Sequence, residues 1–449
     1  MKKQHTHSIY YIFYSTLFIL IALFMFYSYA LNTQWLTLLS DEQTHLQQKK
    51  LPFLTLVNQE DGGNTLVPLA DNGKQIGKAP KDSSTKSSGF IGQSATLIKN
   101  TFKKPRELVT FETTRFTNSI ISYSIIKNDY RPSLFGWKKQ KTTHNDIVIY
   151  EKTGHEISFD DFKFSKRQLD RIALEVKTNA LNVNKDDEKM MDKIFSRDFS
   201  IDFDNVAFTS QGLYFPTTIK KLSKKSTILD YQDVGKITST KNYAQPKTDK
   251  LVTLTFDDGP KSDTTPELLE TLKKYNVPAT FFMLGSSVNT YPETAKLVYD
   301  EGFEVASHSL VHDAASAIGP QQVIDYEIEN EKAIYKATGT LPTKYRPPYG
   351  DINKDASDLL QMPIIQWNID SQDWVLKDAK KIAKSVVSNT YPGSIILIHD
   401  IHKESIKSVP IIINDLTKQG YSFVSLDDLI QEFYPGQQYF DQFENRPVA

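Results

Sequence analysis

The sequence contains no cysteine among its 449 residues. This absence excludes disulfide bonds, thiolate catalysis, cysteine-based zinc sites and lipid attachment through an N-terminal cysteine. Any metal ion must therefore be held by histidine, aspartate or glutamate. The chain also lacks an excess of either charge, with 53 lysine and arginine residues against 54 aspartate and glutamate residues. Because neutralising phosphates requires clustered positive charge, no nucleic-acid partner is expected.

Charged residues are also missing from one long N-terminal stretch, which runs from Ser8 to Leu31. This apolar run exceeds the roughly 20 residues that a helix needs to cross a bilayer, and Lys2 and Lys3 favour a cytoplasmic N-terminus. A cleaved signal peptide is the alternative, but the run is longer than the usual apolar region of such peptides. The sequence therefore predicts a single-pass membrane anchor at residues 1–32, with the chain after it outside the cell.

Two regions of different composition follow the anchor. Residues 33–105 are polar and rich in serine, lysine and glycine. They predict a stalk and a flexible spacer, the latter at 58–95, because they bury too little apolar surface to offset the entropy of ordering. Residues 106–240 combine alternating apolar patterns with one helical stretch near 165–181, and they predict a small α+β accessory domain.

The C-terminal region, residues 250–435, alternates short apolar runs with helical segments, and residues 436–449 are predicted to be a tail. The seven runs are LVTLTF, ATFFML, FEVASHS, KYRPPY, PIIQWN, SIILIHD and YSFVSL. Such alternation implies parallel strands, so the expected fold class is α/β with a distorted (β/α)7 TIM-like barrel. In that fold the side chains at the C-terminal strand ends face the active site.

Polar residues stand where several of these strands end. Asp257 and Asp258 end the first strand, His308 ends the third, and His312 follows four residues later. Adjacent buried carboxylates repel each other, so a metal ion is the expected compensation. Two histidines and one carboxylate supply three ligands and leave positions for water, as in catalytic sites. Each pattern alone is more often a turn or a pair of exposed histidines, but their coincidence at strand ends favours a site.

These residues belong to five motifs through which the chain resembles the NodB-type polysaccharide deacetylases, carbohydrate esterase family 4. In order, the motifs are TFDDGP at 255–260, HSLVH at 308–312, RPPYG at 346–350, DSQDW at 370–374 and LIH at 397–399. The layout of anchor, spacer, accessory domain and C-terminal deacetylase domain resembles that of streptococcal-type peptidoglycan N-acetylglucosamine deacetylases.

The resemblance implies a metal centre with a base beside it. Asp258, His308 and His312 match the family's metal ligands, and Asp257 matches its general base. The physical case agrees, because one carboxylate held by a dication stays ionised while its neighbour can accept a proton from water. The expected cofactor is a divalent metal, with Zn²⁺ favoured and Co²⁺, Ni²⁺ or Mn²⁺ as alternatives.

The remaining catalytic roles are also implied by the resemblance. His399 matches the general acid, Asp373 the residue that orients it, and Arg346 the residue that steadies the base. The backbone N–H of Tyr349 matches the oxyanion donor. The residues expected to shape the acetyl pocket are Trp374 and Leu397, and core packing is the alternative for Trp374.

The resemblance implies metal-dependent hydrolysis of N-acetyl groups from N-acetylglucosamine in cell-wall peptidoglycan, with lysozyme resistance as a consequence. Chitin oligomers, an exopolysaccharide or O-acetylated xylan are alternative substrates for the same site. A catalytically dead wall-binding or signalling protein is an alternative of another class. The cell-wall glycan is the expected partner, and the sequence indicates no particular protein partner.

Overall fold

The computed structural model describes residues 2–58, 63–69, 75–76, 83–84, 105–115, 120–133, 135–150, 155–209, 211–238 and 249–449. The chain divides into two compact units. The first comprises residues 1–162 and 208–212, and the second comprises residues 163–207 and 213–449. The helical stretch that the sequence analysis assigns to the accessory domain therefore lies in the second unit, and the predicted domain boundaries remain a prediction.

A long helix and a seven-stranded sheet make up the first unit. The helix is α1 (Lys2–Gln48). The strands are β1 (Phe53–Asn58), β2 (Asn64–Pro68), β3 (Ser83–Ser84), β4 (Arg106–Arg115), β5 (Ile120–Ser133), β6 (Gly136–Tyr150) and β7 (His155–Glu156), in the spatial order β3-β1-β2-β4-β5-β6-β7. Only β2 and β4 pair in parallel, and the other neighbours are antiparallel.

Strands β1 and β2 lie inside the range that the sequence analysis assigns to stalk and spacer. They pair over five residues of each strand, and Leu56 and Leu66 are buried in the first unit. The apolar residues of these two short segments suffice for a hairpin because the neighbouring strand β4 and helix α1 complete the core around them. Most of the predicted spacer at 58–95 lies outside the described residues.

Helix α1 changes its environment along its length. The large apolar side chains between residues 14 and 26 are exposed, and the helix is long and apolar enough to cross a membrane. Further along, Leu31 and Trp35 are buried, and the Trp35 ring meets the Trp137 ring at a centroid distance of 5.3 Å. The helix therefore packs on the sheet from about Leu31 onward, with Leu36 still exposed.

The rest of the chain carries the remaining helices and strands. The helices are α2 (Lys166–Val183), α3 (Glu188–Phe195), α4 (Tyr231–Thr238), α5 (Thr265–Tyr275), α6 (Gly285–Thr290), α7 (Pro292–Asp300), α8 (Ala315–Ile318), α9 (Pro320–Thr338), α10 (Lys354–Leu360), α11 (Asp373–Leu376), α12 (Ala379–Asn389), α13 (Lys403–Lys418) and α14 (Leu426–Ile430). The strands are β8 (Ala207–Thr209), β9 (Gly212–Tyr214), β10 (Ile228–Leu229), β11 (Leu251–Asp257), β12 (Ala279–Met283), β13 (Glu304–Ser307), β14 (Ile364–Ile365), β15 (Ile369–Asp370), β16 (Ile395–His399), β17 (Ser422–Phe423), β18 (Gln437–Tyr439) and β19 (Asn445–Pro447).

The central sheet of the second unit is parallel. Its strands lie in the order β13-β12-β11-β16-β15, and β17 also pairs with β11. Six of the seven predicted apolar runs form strands, and helices alternate with them, which confirms the α/β class. In the remaining run, KYRPPY, only Tyr345 bridges its neighbours, Ser307 and Ile364. Pro347 and Pro348 have no N–H to donate to a ladder, which ends the pairing there.

The core of the second unit explains why the strand ends meet. Strand β11 is buried at six of its seven positions, as expected for a parallel strand covered on both faces. Leu254 and Phe256 pack with Phe281 and other buried apolar residues, and each such side chain contributes about 1.5–3 kcal/mol by burial. Because the strands are parallel and in register, their last residues lie along one edge.

Candidate functional site

The C-terminal edge of the parallel sheet brings carboxylates and imidazoles together. Asp257 stands opposite His399 in the register of β11 and β16. One ligand atom from each of Asp258, His308 and His312 lies within 4.8 Å of the others. Asp258 Oδ1 is 3.4 Å from His308 Nε2 and 3.6 Å from His312 Nε2. The three residues selected from the sequence as metal ligands therefore form one cluster.

Asp258 has the properties of an ionised metal ligand. Its Oδ1 atom is buried and has no hydrogen-bond partner among the described residues, a costly state for a carboxylate oxygen. Burial raises the pKa of Asp258, but the interactions with His308, His399 and His312 outweigh burial and lower it to about 2. A divalent cation would supply the missing partner of Oδ1, and the oxygen and nitrogen donors suit Zn²⁺.

The two histidines are held in the form that binds a cation. His308 Nδ1 lies 2.7 Å from the carbonyl oxygen of Arg346, so this nitrogen carries the proton and Nε2 keeps its lone pair for the cluster. Burial and then the neighbouring His308 lower the pKa of His312. A neutral imidazole is the form that coordinates a metal. The donor set therefore fits a divalent ion.

Asp257 is fixed by a buried arginine. Arg346 Nη1 donates to Asp257 Oδ1 at 2.7 Å, and Asp257 is 2% exposed while Arg346 is fully buried. The other guanidinium hydrogens bond to Thr255 Oγ1 and to the carbonyl oxygens of Ile365 and Gln366. All three nitrogen atoms of the guanidinium group therefore bond to residues in or next to strands β11 and β14. The orientation of the Asp257 carboxylate is set by this clamp, and Oδ2 is left for the site.

His399, which is partly buried, pairs with the buried Asp373. His399 Nδ1 and Asp373 Oδ1 are 2.7 Å apart, and Asp373 Oδ2 accepts from the His399 backbone N–H and from Ser405 Oγ. Burial lowers the pKa of His399, but the hydrogen bond and charge of Asp373 outweigh it and raise the pKa to about 9. The ring is therefore protonated at neutral pH, and its Nε2 lies 4.0 Å from Asp258 Oδ2.

The predicted pocket residues differ in exposure. Tyr349 and Trp374 are 69% and 56% exposed, so Trp374 is not a core residue. The Tyr349 ring stands edge to face on His312 at a centroid distance of 4.3 Å. Leu397 is 4% exposed and belongs to β16 beside the site. The Tyr349 ring thus lies at the surface of the site, Trp374 is exposed, and Leu397 is buried in β16.

Two residues that support the site were not selected from the sequence. Asp400 is buried and accepts a hydrogen bond from Thr265 Oγ1 at 2.6 Å, and burial, followed by Asp258 and Asp257, raises its pKa to about 7. Its signal in the sequence is an acidic residue directly after His399. Ser405, which holds Asp373, lies in helix α13 and carries no signal of spacing or composition.

Comparisons with known proteins identify what the chain is similar to. A family model described as polysaccharide deacetylase matches residues 244–363. The peptidoglycan-N-acetylglucosamine deacetylase PgdA of Listeria monocytogenes is 31% identical over 421 residues, which cover 88% of this chain and 90% of that protein. The peptidoglycan-N-acetylmuramic acid deacetylase PdaC of Bacillus subtilis is 39% identical over 180 residues, or 40% of this chain and 38% of that protein.

A solved structure of PdaC from Bacillus subtilis also matches, with 39% sequence identity and a TM-score of 0.40 over 40% of this chain and 90% of that one. The similarity to the Listeria protein runs through both compact units, whereas the similarity to PdaC covers less than half of the chain.

Proposed function

Because the chain belongs to the polysaccharide deacetylase family, we propose that it hydrolyses N-acetyl groups of N-acetylglucosamine in cell-wall peptidoglycan. The family supports the class of reaction, a hydrolytic deacetylation. The main structural support is the cluster of Asp258, His308 and His312 beside two charged pairs, Asp257 with Arg346 and Asp373 with His399. The proposed sugar rests on the relative from Listeria monocytogenes, which covers most of the chain.

The metal would be held by Asp258, His308 and His312. A divalent ion bound by these residues lowers the pKa of water and polarises a carbonyl group. We propose Zn²⁺ as the ion, with Co²⁺, Ni²⁺ and Mn²⁺ as alternatives that accept the same oxygen and nitrogen donors.

Asp257 serves as the general base in this proposal. Its carboxylate takes a proton from the water that attacks the acetamide carbonyl, and Arg346 holds it in position through Oδ1. General bases of this kind contribute about 10²–10⁴-fold to the rate. As negative charge develops on the carbonyl oxygen, the backbone N–H of Tyr349 donates a hydrogen bond to it.

His399 serves as the general acid. An amine leaves poorly unless it is protonated, and His399 is protonated at neutral pH because Asp373 raises its pKa. Transfer of this proton to the departing nitrogen breaks the C–N bond and yields acetate and a free amine. Trp374 and Leu397 would enclose the acetyl group, Trp374 from the exposed side and Leu397 from below.

The proposed location is the outer face of the cytoplasmic membrane. The exposed apolar surface of α1 and the lysines before it support a single-pass anchor with the N-terminus inside. The chain after the anchor would then lie outside, where peptidoglycan is within reach of the site.

External protease applied to intact wall-less cells is expected to remove the chain after the anchor and to leave a small N-terminal fragment in the membrane. This result follows because residues after the anchor would be accessible from outside only. Immunoblotting with an N-terminal tag would measure the fragment. Full protection of the chain in intact cells, with cleavage after lysis, would contradict the topology.

Gly259 leaves no room for a side chain beside Asp400. A Cβ atom at Gly259 would lie 2.2 Å from Asp400 Oδ1, so either the Asp400 carboxylate, which Thr265 Oγ1 holds, or the loop that carries Asp257 and Asp258 must move. Since a misplacement of about 1 Å can cost about 10²-fold in rate, we expect Gly259→Ala to lower acetate release by that order. Gly235→Ala is the matched control, because nothing lies within 4 Å of its added Cβ atom. Equal activity of the two variants would refute the steric argument.

The substrate is tested by measuring acetate release from three purified polymers: peptidoglycan sacculus, chitopentaose and acetylated xylan. The proposal expects the sacculus to be the preferred substrate. Preference for chitopentaose or xylan would replace the proposed substrate while retaining the reaction class. No release from any of them by metal-loaded protein would favour a wall-binding protein without activity.

A further inference from the structure

Two buried glutamates lie one turn apart on helix α9, behind the proposed metal site. Glu327 is fully buried and Glu331 is 2% exposed. Like charges at this spacing on a helix repel each other, and the low polarity around them strengthens the repulsion. Burial and then Glu331 raise the pKa of Glu327. The negative charge of this glutamate pair must therefore be compensated by nearby cations.

The compensation comes from residues outside the region of the five motifs. Arg197 Nη1 donates to Glu331 Oε1 at 2.6 Å, and Lys177 Nζ lies 3.4 Å from Glu331 Oε2. Lys177 lies in helix α2, and Arg197 follows helix α3. Both residues belong to the second compact unit together with the parallel sheet. The segment at 163–207, which contains helices α2 and α3, thus supplies both cations that contact Glu331.

Glu327 in turn holds the strand end that precedes a metal ligand. Ser307 Oγ donates to Glu327 Oε2 and accepts from Asn330 Nδ2 at 2.7 Å and from the Ser309 backbone N–H at 3.3 Å. Ser309 has a φ of +72°, a conformation that non-glycine residues adopt at a cost. The Ser307 hydroxyl therefore fixes the backbone on both sides of His308.

We propose that Arg197, assisted by Lys177, is a positioning residue for the metal-binding loop. By neutralising Glu331, it keeps Glu327 hydrogen-bonded to Ser307, and Ser307 holds the loop from which His308 reaches the metal. The inference rests on the proposed function, because it takes His308 as a ligand. By this inference, the residues that support metal binding include the segment at 163–207, which lies outside the five sequence motifs.

The test is the affinity of the metal-free full chain for Zn²⁺, measured by calorimetric titration in detergent. Arg197→Gln is expected to weaken Zn²⁺ binding by about tenfold, the lower end of the range for groups that orient metal ligands. Arg197→Lys is expected to keep near wild-type affinity, because Arg197 Nε and Nη2 have no hydrogen-bond partner among the described residues and the charge alone is needed. Glu331→Gln in the Arg197→Gln background is expected to restore affinity, since it removes the uncompensated charge.

Arg167→Gln is the matched control. Arg167 joins helix α2 to Asp428, with Arg167 Nη1 at 3.0 Å from Asp428 Oδ1, but it does not contact Glu331. The Arg167→Gln substitution should therefore leave Zn²⁺ affinity unchanged.

Three results would overturn the inference: unchanged affinity in folded Arg197→Gln, equal weakening in Arg167→Gln, or no recovery in the double variant. If Arg197→Gln does not fold, the charge-neutral double variant must match the wild type, and weaker binding by it would reject the inference. A wild-type chain that binds no Zn²⁺ would overturn the metal site itself. If the variants change Zn²⁺ affinity as expected but the wild-type chain releases no acetate, only the proposed function is overturned.

Discussion

Asp257→Asn is expected to abolish deacetylation while the metal stays bound. Asparagine has the size of aspartate, and its oxygen can still accept the hydrogen bond that Arg346 Nη1 gives to Asp257 Oδ1 at 2.7 Å. The amide cannot take a proton from water, so the rate should fall by about 10²–10⁴-fold, the contribution of a general base. Acetate release and metal content measured on the same preparation check both parts of the prediction.

The control for this substitution is Asp263→Asn. Asp263 lies nearby in the sequence, and its side chain is 50% exposed, so the same loss of charge should leave activity unchanged. Retained activity in Asp257→Asn would place the base elsewhere. Loss of the metal would instead show that Asp257 helps to hold it.

Removing any one of the three proposed ligands is expected to lower metal content and activity together. Asp258→Ala, His308→Ala and His312→Ala each leave two protein ligands, and a catalytic site built on three holds its ion poorly with two. Metal analysis after gel filtration, paired with the acetate assay, measures the effect. His45→Ala is the control, because His45 is an exposed histidine of helix α1. Full metal occupancy with normal turnover in any ligand variant would refute its assignment.

Much of the site could be predicted because its residues lie at the ends of strands. The run LVTLTF delivers Asp257 to the end of β11, and SIILIH delivers His399 to the end of β16. The parallel register then places the two residues side by side. Apolar runs and the polar residues that end them are both visible in a sequence. The α/β class and the proximity of the selected residues therefore needed no tertiary information.

Other parts depend on contacts that leave no local signal. Ser405 reaches Asp373 from helix α13, and Glu331 meets Arg197 across 134 positions of sequence. The helical segment at 165–181 reads as part of a separate domain because strand–turn–strand patterns precede and follow it in the sequence. Its buried positions Ile172 and Val176 and its ion pairs place it in the second unit. Such pairings between distant segments are decided by packing rather than by local pattern.

Mass spectrometry of muropeptides from wild-type cells and from cells that lack this protein tests the central claim most directly. A membrane-tethered deacetylase with its site outside the cell would convert neutral acetamides of glucosamine into amines. The account predicts that deletion lowers the proportion of free-amine glucosamine, that the wild-type gene restores it, and that the Asp257→Asn gene does not. A loss confined to free-amine muramic acid would show that the protein deacetylates N-acetylmuramic acid instead of N-acetylglucosamine. An unchanged proportion of both free amines would contradict peptidoglycan as the substrate.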